Sequence, residues 1–111
     1  MTEVLFDDSA QCVRVVDDPK DRQYALYVNG AQAGTMSYRI VGQRRVLGHT
    51  EIDEAYRGRG LSQVFIQAVL DDLQERQQKV TVYCPAVDRF IKQRVKYADV
   101  IDPRHPGIWF A

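Results

Sequence analysis

The sequence predicts an α+β fold in which two helices pack on a mixed, mostly antiparallel sheet. The first half of the chain contains short runs of alternating apolar and polar residues separated by turn signals, which is typical of an antiparallel meander. A helical pattern follows over residues 61–77, then a short β-branched run at 80–83 and a second helical pattern from Pro85. The order strand, helix, strand indicates a parallel β-α-β unit after the meander.

The strands are predicted from alternation and from the turns between them. The Asn29-Gly30 pair is the strongest hairpin signal in the chain, because this dipeptide suits the tight turn between two antiparallel strands. Residues 1–10 are acidic and mixed, and they are expected to be a frayed end or a short edge segment. The expected strands occupy residues 11–16, 23–28, 31–41, 46–53 and 80–83.

Two helices are predicted from apolar residues that recur at helical spacing. The first covers residues 61–77, with a polar face on one side and an apolar face that should pack on the sheet. The second is expected to start at Pro85, because proline suits the first turn of a helix, and to continue to about Asp99. The remaining tail, to Ala111, contains two prolines and is expected to be irregular.

Length and composition limit the class of protein. A chain of 111 residues is expected to form one domain, residues 1–111. Its 15 basic and 15 acidic residues cancel, which argues against nucleic acid or an anionic membrane as a partner. No segment has the pattern of a membrane span or a secretory signal. Cys12 and Cys84 make neither a disulfide framework nor a zinc site, so we expect a cytoplasmic protein with reduced thiols and no metal.

The junction between the strand at 46–53 and the first helix predicts an anion site. Gly58 and Gly60 stand one residue apart there, and glycine permits positive φ and a close approach to the backbone. The first helical turn presents free N–H groups at the positive end of the helix dipole, which suits a phosphate or pyrophosphate. The junction lacks the Gly-Lys-Ser/Thr ending of a P-loop and the third glycine of a dinucleotide fingerprint. An ordinary turn followed by a helix is the alternative.

A longer string, residues 56–62 (YRGRGLS), resembles the pyrophosphate-binding loop of the GCN5-related N-acetyltransferases. His49-Thr50-Glu51 before this loop and Cys84-Pro85 after the next strand are similar to the motifs of small, minimal members of that family. The resemblance covers roughly residues 39–101. Ala55 departs from the wider motif, which starts with Gln or Arg at that position.

The resemblance implies a minimal version of the family fold that binds acetyl-CoA and transfers its acetyl group to an amine by direct attack. The alternative is a CoA- or acyl-CoA-binding module that acts as a sensor or interaction partner without catalysis. The acceptor would be a small molecule or a protein, and the chain a monomer or weak dimer. The implied cofactor contacts are Ile52, Asp53, Arg57, Gly58, Arg59, Gly60, Leu61 and Ser62.

Three residues are candidates for catalysis. His49 and Glu51 are two apart on one strand, so they should share a face about 7 Å apart. Histidine suits a general base, and Glu51 would orient it or attract a cationic acceptor. The alternatives are a histidine hydrogen-bonded within the sheet and a solvated carboxylate. Cys84 precedes a helix N-terminus, where it would be an acetyl carrier, a proton donor to the leaving thiolate or a small apolar filler.

Overall fold

A computed structural model describes residues 3–109 of the chain. The strands are β1 (Glu3–Asp8), β2 (Val13–Asp18), β3 (Gln23–Val28), β4 (Ala31–Val41), β5 (Arg44–Ile52) and β6 (Val80–Val82). The α-helices are α1 (Leu61–Glu75) and α2 (Pro85–Gln93), and 3₁₀ turns cover Glu54–Tyr56 and Val95–Val100. None of the helices within residues 3–109 combines the length and the apolar character that crossing a bilayer requires.

The six strands form one sheet in sequential order from β1 to β6. Neighbouring strands from β1 to β5 are antiparallel, whereas β5 and β6 are parallel and are connected through α1. The predicted α+β class with a mixed, mostly antiparallel sheet is therefore confirmed. The N-terminal segment is a six-residue edge strand rather than a frayed end, because its backbone pairs with β2 from Glu3 to Asp8. Residues 1 and 2 of that predicted segment lie outside the described residues.

Both helices cover the same face of the sheet. Large apolar side chains of α1 and α2, such as Phe65 and Ile91, belong to one buried cluster with alternate residues of the strands, among them Leu26, Met36 and Leu47. Because side chains of a strand alternate between faces, this cluster marks the helix-covered face. The packing fixes where the first turn of α1 lies relative to the end of β5.

The second helix is shorter than the sequence predicts. It ends at Gln93, because Arg94 has φ −135° and ψ 75°, which is not a helical conformation. The chain continues as the 3₁₀ turn Val95–Val100, which buries Tyr97 against Phe90 with the ring centroids 5.7 Å apart. Burial of Tyr97 favours this break over a longer helix. The first helix also ends two residues earlier than predicted, at Glu75.

The predicted irregular tail lies along the outer edge of β6. The N–H of Asp102 donates to the carbonyl of Val80 at 2.8 Å, and the N–H of Ile108 donates to the carbonyl of Val82 at 2.7 Å. Gly107 has φ 75°, and a Cβ at this position would overlap the carbonyl oxygen of Val82. A glycine is thus required for the tail to approach β6 so closely. Residues 110 and 111 of the predicted tail lie outside the described residues.

Candidate active site

A gap opens in the sheet between β5 and the chain that follows β6. The pairing of the two strands runs from Arg45 with Val80 to Leu47 with Val82. The N–H of Tyr83 adds one more bond, 2.9 Å long, to the carbonyl of Leu47. Strand β5 then continues to Ile52 along β4. Residues 48–52 on one side and 83–84 on the other therefore border what we call the strand gap.

A bulge in β5 lies at the closed end of this gap. Met36 pairs with Thr50 and Tyr38 pairs with Leu47, so β5 has one residue more than β4 between these pairs. The hydroxyl oxygen of Ser37 accepts a hydrogen bond from the N–H of His49 at 3.0 Å, which fixes the bulged backbone. A bulge changes the phase in which a strand directs its backbone groups to its two neighbours.

This change of phase decides which backbone groups face the strand gap. Before the bulge, the carbonyl of Leu47 is directed to β6. After it, the N–H of Asp53 donates to the carbonyl of Ala33 on β4 at 2.8 Å. Because alternate residues of an antiparallel strand direct both backbone groups to the same neighbour, Thr50 and Ile52 direct theirs into the gap. The gap can thus accept a strand-like ligand along β5.

The loop after β5 has the backbone geometry predicted for it. Gly58 and Gly60 have φ 81° and 73°, both in the left-handed region that glycine adopts without cost. Gly60 is the N-cap of α1, no side chain caps the helix, and its first turn contains no acidic residue. The N–H groups of Leu61 and Ser62 belong to this first turn, where the helix provides no carbonyl partners. An anion placed here would meet free donors and the positive end of the dipole.

The two arginines of the loop have different environments. The Nε of Arg57 donates to the carbonyl of Ile52 at 2.8 Å, so this side chain ties the loop to the end of β5. The guanidinium of Arg59 lies 5.5 Å from the centroid of the Tyr56 ring. Within residues 3–109, Arg57 thus ties the loop to β5 through its Nε, whereas Arg59 lies against the Tyr56 ring.

The three catalytic candidates lie on or beside β5, but their side chains are not all on the same face of the sheet. His49 and Glu51 are exposed, and Thr50 between them is half-buried. Cys84 is 1% exposed, and its Sγ lies 3.0 Å from the hydroxyl oxygen of Thr50. Since Thr50 pairs with the core residue Met36 and contacts Cys84, alternation directs His49 and Glu51 to the face opposite the helices. The thiol of Cys84 thus lies on the helix-covered face of the sheet, and the side chains of His49 and Glu51 lie on the opposite face.

A family model described as GCN5-related N-acetyl-transferase matches residues 23–100. The match covers well over half of the chain and includes β5, the loop, α1 and Cys84. The chain belongs to the GCN5-related N-acetyltransferase family. The family membership implied by the resemblance of residues 56–62 is thereby confirmed.

Relatives of this GCN5-related N-acetyltransferase include proteins named NATD1. The protein from Bos taurus is 36% identical over 83 residues, which cover 73% of this chain and 74% of that protein. The protein from Homo sapiens is 35% identical over the same shares of the two chains. The protein from Danio rerio is 34% identical over 88 residues, which cover 78% of this chain and 80% of that protein.

Among solved structures, this family member is similar to the ribosomal-protein-alanine N-acetyltransferase from Brucella melitensis biovar Abortus 2308. The superposition has a TM-score of 0.50 at 18% sequence identity. It covers 80% of this chain and 65% of the Brucella enzyme. At this identity the likeness concerns the fold, and it agrees with the six-stranded sheet and two helices described above.

Sequence reasoning missed one residue of the site in this family member. Thr50 contacts Cys84 through its side chain and faces the gap through its backbone. Alternation from His49 and Glu51 would have placed its side chain on the opposite face, but the bulge that sets its backbone direction has no clear sequence signal beyond Gly48. Of the two predicted cofactor contacts at the end of β5 and just after it, Ile52 faces the gap, whereas the N–H of Asp53 is bonded to β4.

Proposed function

We propose that this chain is an N-acetyltransferase that moves the acetyl group of acetyl-CoA to an amine by direct attack. One observation carries the proposal: the strand gap along β5 is followed in the chain, after the 3₁₀ turn Glu54–Tyr56, by the left-handed glycine loop and the uncapped first turn of α1. Acetyl-CoA has an amide-containing arm that can pair with a strand and a pyrophosphate that needs an anion site. The gap along residues 48–52 and the anion site at the loop that follows them match that order.

In this proposal the arm of acetyl-CoA lies along β5 as an additional strand. Thr50 offers its backbone groups, and Ile52 offers its N–H because its carbonyl already accepts from Arg57. The pyrophosphate is bound by the N–H groups of Leu61 and Ser62, with the guanidinium of Arg59 adding charge-assisted hydrogen bonds. The two glycines let the phosphate oxygens approach the backbone.

The acceptor amine approaches from the face that carries His49 and Glu51. Glu51 attracts the ammonium group, and His49 removes its proton directly or through a water molecule. The free amine attacks the thioester carbonyl, a C–N bond forms, and the oxyanion that develops is stabilised by N–H groups in the gap. The C–S bond then breaks, the attacking nitrogen loses its second proton, and that proton passes through water to the departing CoA thiolate. The burial of Cys84 against Thr50 supports direct attack rather than an acetyl-cysteine intermediate.

Release of CoA in the presence of an amine library tests the proposed turnover. Chromatographic measurement of CoA avoids interference from the thiols of Cys12 and Cys84. We expect release that depends on both protein and amine, and His49→Ala should lower the rate on the order of 10²-fold while acetyl-CoA affinity stays the same. The acidic limb of the pH–rate profile should disappear in this variant. Intact-mass spectra of protein with acetyl-CoA alone should show no acetyl adduct.

The second candidate function is a CoA-binding module without catalysis. It is favoured by the exposure of His49 and Glu51, since within residues 3–109 both helices cover the opposite face and do not enclose an acceptor. Calorimetric binding of acetyl-CoA without amine-dependent release of CoA would support this candidate and contradict the transferase.

A hydroxylamine-sensitive adduct on Cys84, formed and consumed as fast as turnover, would contradict direct attack.

A further inference from the structure

An exposed tyrosine borders the strand gap, and the transfer reaction proposed above does not use it. Tyr83 follows directly after β6, and it is 51% exposed. Its neighbours Val82 and Cys84 belong to the buried cluster under the helices. Because side chains of a strand alternate between faces, the Tyr83 ring is directed to the face opposite the helices. The ring therefore lies on the face that carries His49 and Glu51.

The pairing of β5 and β6 brings this ring close to the proposed acceptor site. The N–H of Tyr83 donates to the carbonyl of Leu47 at 2.9 Å, so the backbone of Tyr83 lies beside Gly48, about one strand spacing of 4.8 Å away. Glu51 is three residues further along β5, about 10 Å from Gly48 at the rise of a strand. The side chains of Tyr83 and Glu51 can span most of that distance. A group as small as an ammonium can thus contact both.

Gly48 leaves the space beside the ring open. A Cβ at this position would lie 2.9 Å from the hydroxyl oxygen of Ser37, so a side chain there would have to displace Ser37. The same hydroxyl oxygen accepts the hydrogen bond from the N–H of His49 in the bulge. The bulge therefore favours glycine at position 48, and no side chain from this position covers the Tyr83 ring.

The chain supplies no cation to this ring. The guanidinium of Arg59 lies 5.5 Å from the centroid of Tyr56, whereas no cation among residues 3–109 lies over Tyr83. Glu51 forms no ion pair within the same part of the chain. An aromatic face and a carboxylate on one side of the sheet are thus both available to a cation from outside.

The arginines near this face are at its two ends. The Nε of Arg44 donates to the hydroxyl of Thr81 at 3.0 Å, and Arg39 is on the part of β4 that pairs with β5 before the bulge. At the other end, Arg57 and Arg59 belong to the loop, where the proposed pyrophosphate would neutralise charge. Repulsion of an ammonium by arginines is therefore weakest between the two ends, where Glu51 lies.

We propose that Tyr83 and Glu51 together select the acceptor, a primary ammonium on an unbranched alkyl chain, such as a linear alkylamine or a lysine side chain. The inference rests on the proposed function, because that function brings the acceptor to this face. Glu51 attracts the ammonium, and the Tyr83 ring contacts the ammonium and its first methylene groups through the π face. A carboxylate next to the amine would be repelled by Glu51, so free α-amino acids are excluded as acceptors.

Steady-state acetylation of three related amines tests the acceptor class. n-Pentylamine has the expected ammonium, norleucine adds a carboxylate to the carbon that bears it, and norleucinamide has a neutral amide there instead. We expect pentylamine to have the highest kcat/KM. The preference for norleucinamide over norleucine should fall about tenfold in Glu51→Gln, because the repulsion between the two carboxylates is removed. This comparison of ratios cancels the different reactivities of the two amines.

Substitutions of Tyr83 test the contact with the ring. Tyr83→Phe keeps the π face and should keep the KM of pentylamine. Tyr83→Leu is apolar without a π face and should raise this KM about two- to fivefold, the scale of an exposed cation–π contact, with kcat unchanged. Phe6→Leu, which removes an exposed aromatic ring from β1 at the far edge of the sheet, is the matched control and should leave the KM unchanged.

Turnover of other amines without turnover of pentylamine would overturn this inference and leave the proposed function standing. An unchanged KM in Tyr83→Leu, or a large fall of kcat in Tyr83→Phe, would overturn the role of the ring. An unchanged preference in Glu51→Gln would overturn the exclusion of α-amino acids. If no amine releases CoA, the proposed function fails together with this inference. Calorimetric affinity for acetyl-CoA and melting temperatures should be the same in the Tyr83 variants, which separates acceptor binding from cofactor binding and folding.

Discussion

At the residue scale, Gly60 is the position where the backbone conformation matters most for the proposed pyrophosphate site. Its φ of 73° is in the left-handed region, and it caps α1. A Cβ at this position would meet no atom of the described chain within 4 Å, so a substitution would cost backbone strain but no clash. Asparagine and aspartate tolerate this conformation better than other non-glycine residues. The two therefore make a matched pair that differs in charge and hardly in shape.

Gly60→Asp should abolish acetyl-CoA binding, whereas Gly60→Asn should keep a measurable part of it. The aspartate places a negative charge where the pyrophosphate is proposed, and the asparagine does not. Isothermal titration calorimetry measures the affinity, and circular dichroism melting checks that both variants fold. Equal affinities in two folded variants would show that the loop does not bind the pyrophosphate.

At the element scale, the sequence predicted more of the fold than of the site. The alternation in β3 and β4 and the Asn29-Gly30 turn predicted the central hairpin, because both signals are local. The bulge in β5 was not predicted, since it depends on how the strand is held by β4 and Ser37. The end of α2 at Gln93 was not predicted either, because apolar spacing continues while burial of Tyr97 selects a 3₁₀ turn.

The sequence also did not predict that the tail attaches to β6. This attachment can be tested by substitution of Gly107. Gly107→Ala should destabilise the fold more than Gly42→Ala. Both glycines have positive φ, but a Cβ at Gly107 would overlap the backbone of Val82, whereas a Cβ at Gly42 would meet nothing within 4 Å. We expect the free energy of unfolding to fall by about 1 kcal/mol in both variants because of backbone strain. In Gly107→Ala it should fall by roughly 1–3 kcal/mol more because of the overlap. Urea denaturation measures the difference, and equal free energies of unfolding would contradict the close approach of the tail.

At the scale of the whole molecule, buried and part-buried hydrogen bonds join strands that are far apart in the sequence. Arg45 on β5 donates to Asp17 on β2 at 2.8 Å and to the hydroxyl of Tyr24 on β3 at 2.7 Å. The hydroxyl of Tyr38 on β4 donates to Asp17 at 2.6 Å. Burial raises the pKa values of Tyr24 and Tyr38 above that of a free tyrosine. Four strands therefore share one network under the helices.

Tyr97 is expected to make the stability of the whole fold depend on pH. Burial, with a smaller effect from its 2.6 Å hydrogen bond to Asp71, raises the pKa of Tyr97 to about 12. In the unfolded chain tyrosine loses its proton near pH 10, so the unfolded state is favoured as pH rises from about 10 to 12. The stabilising contribution is complete below pH 10 and is lost above it. Urea denaturation at pH 8, 10 and 11 should show a fall that is smaller in Tyr97→Phe, and an unchanged fall would contradict the assignment.

The family could be inferred from the chain and a course for the cofactor could be proposed, but the acceptor could not be predicted. Motifs such as residues 56–62 are continuous in the sequence, so the residues that predict an anion site can be recognised without the fold. An acceptor is selected by the surface around His49 and Glu51, which forms only when separate strands meet. The fold supplies the exposed face on which these two side chains lie, and the proposed reaction needs an amine that can reach that face.

Amide hydrogen exchange, followed by NMR with and without acetyl-CoA, tests the central claim most directly. Binding along β5 should slow the exchange of Thr50 and Ile52 beyond the general slowing that any ligand of the folded state produces. The amide of Asp53, already bonded to Ala33, should change only by that general amount. Saturation with acetyl-CoA that leaves Thr50 and Ile52 no slower than Asp53 would show that the cofactor arm does not occupy the strand gap.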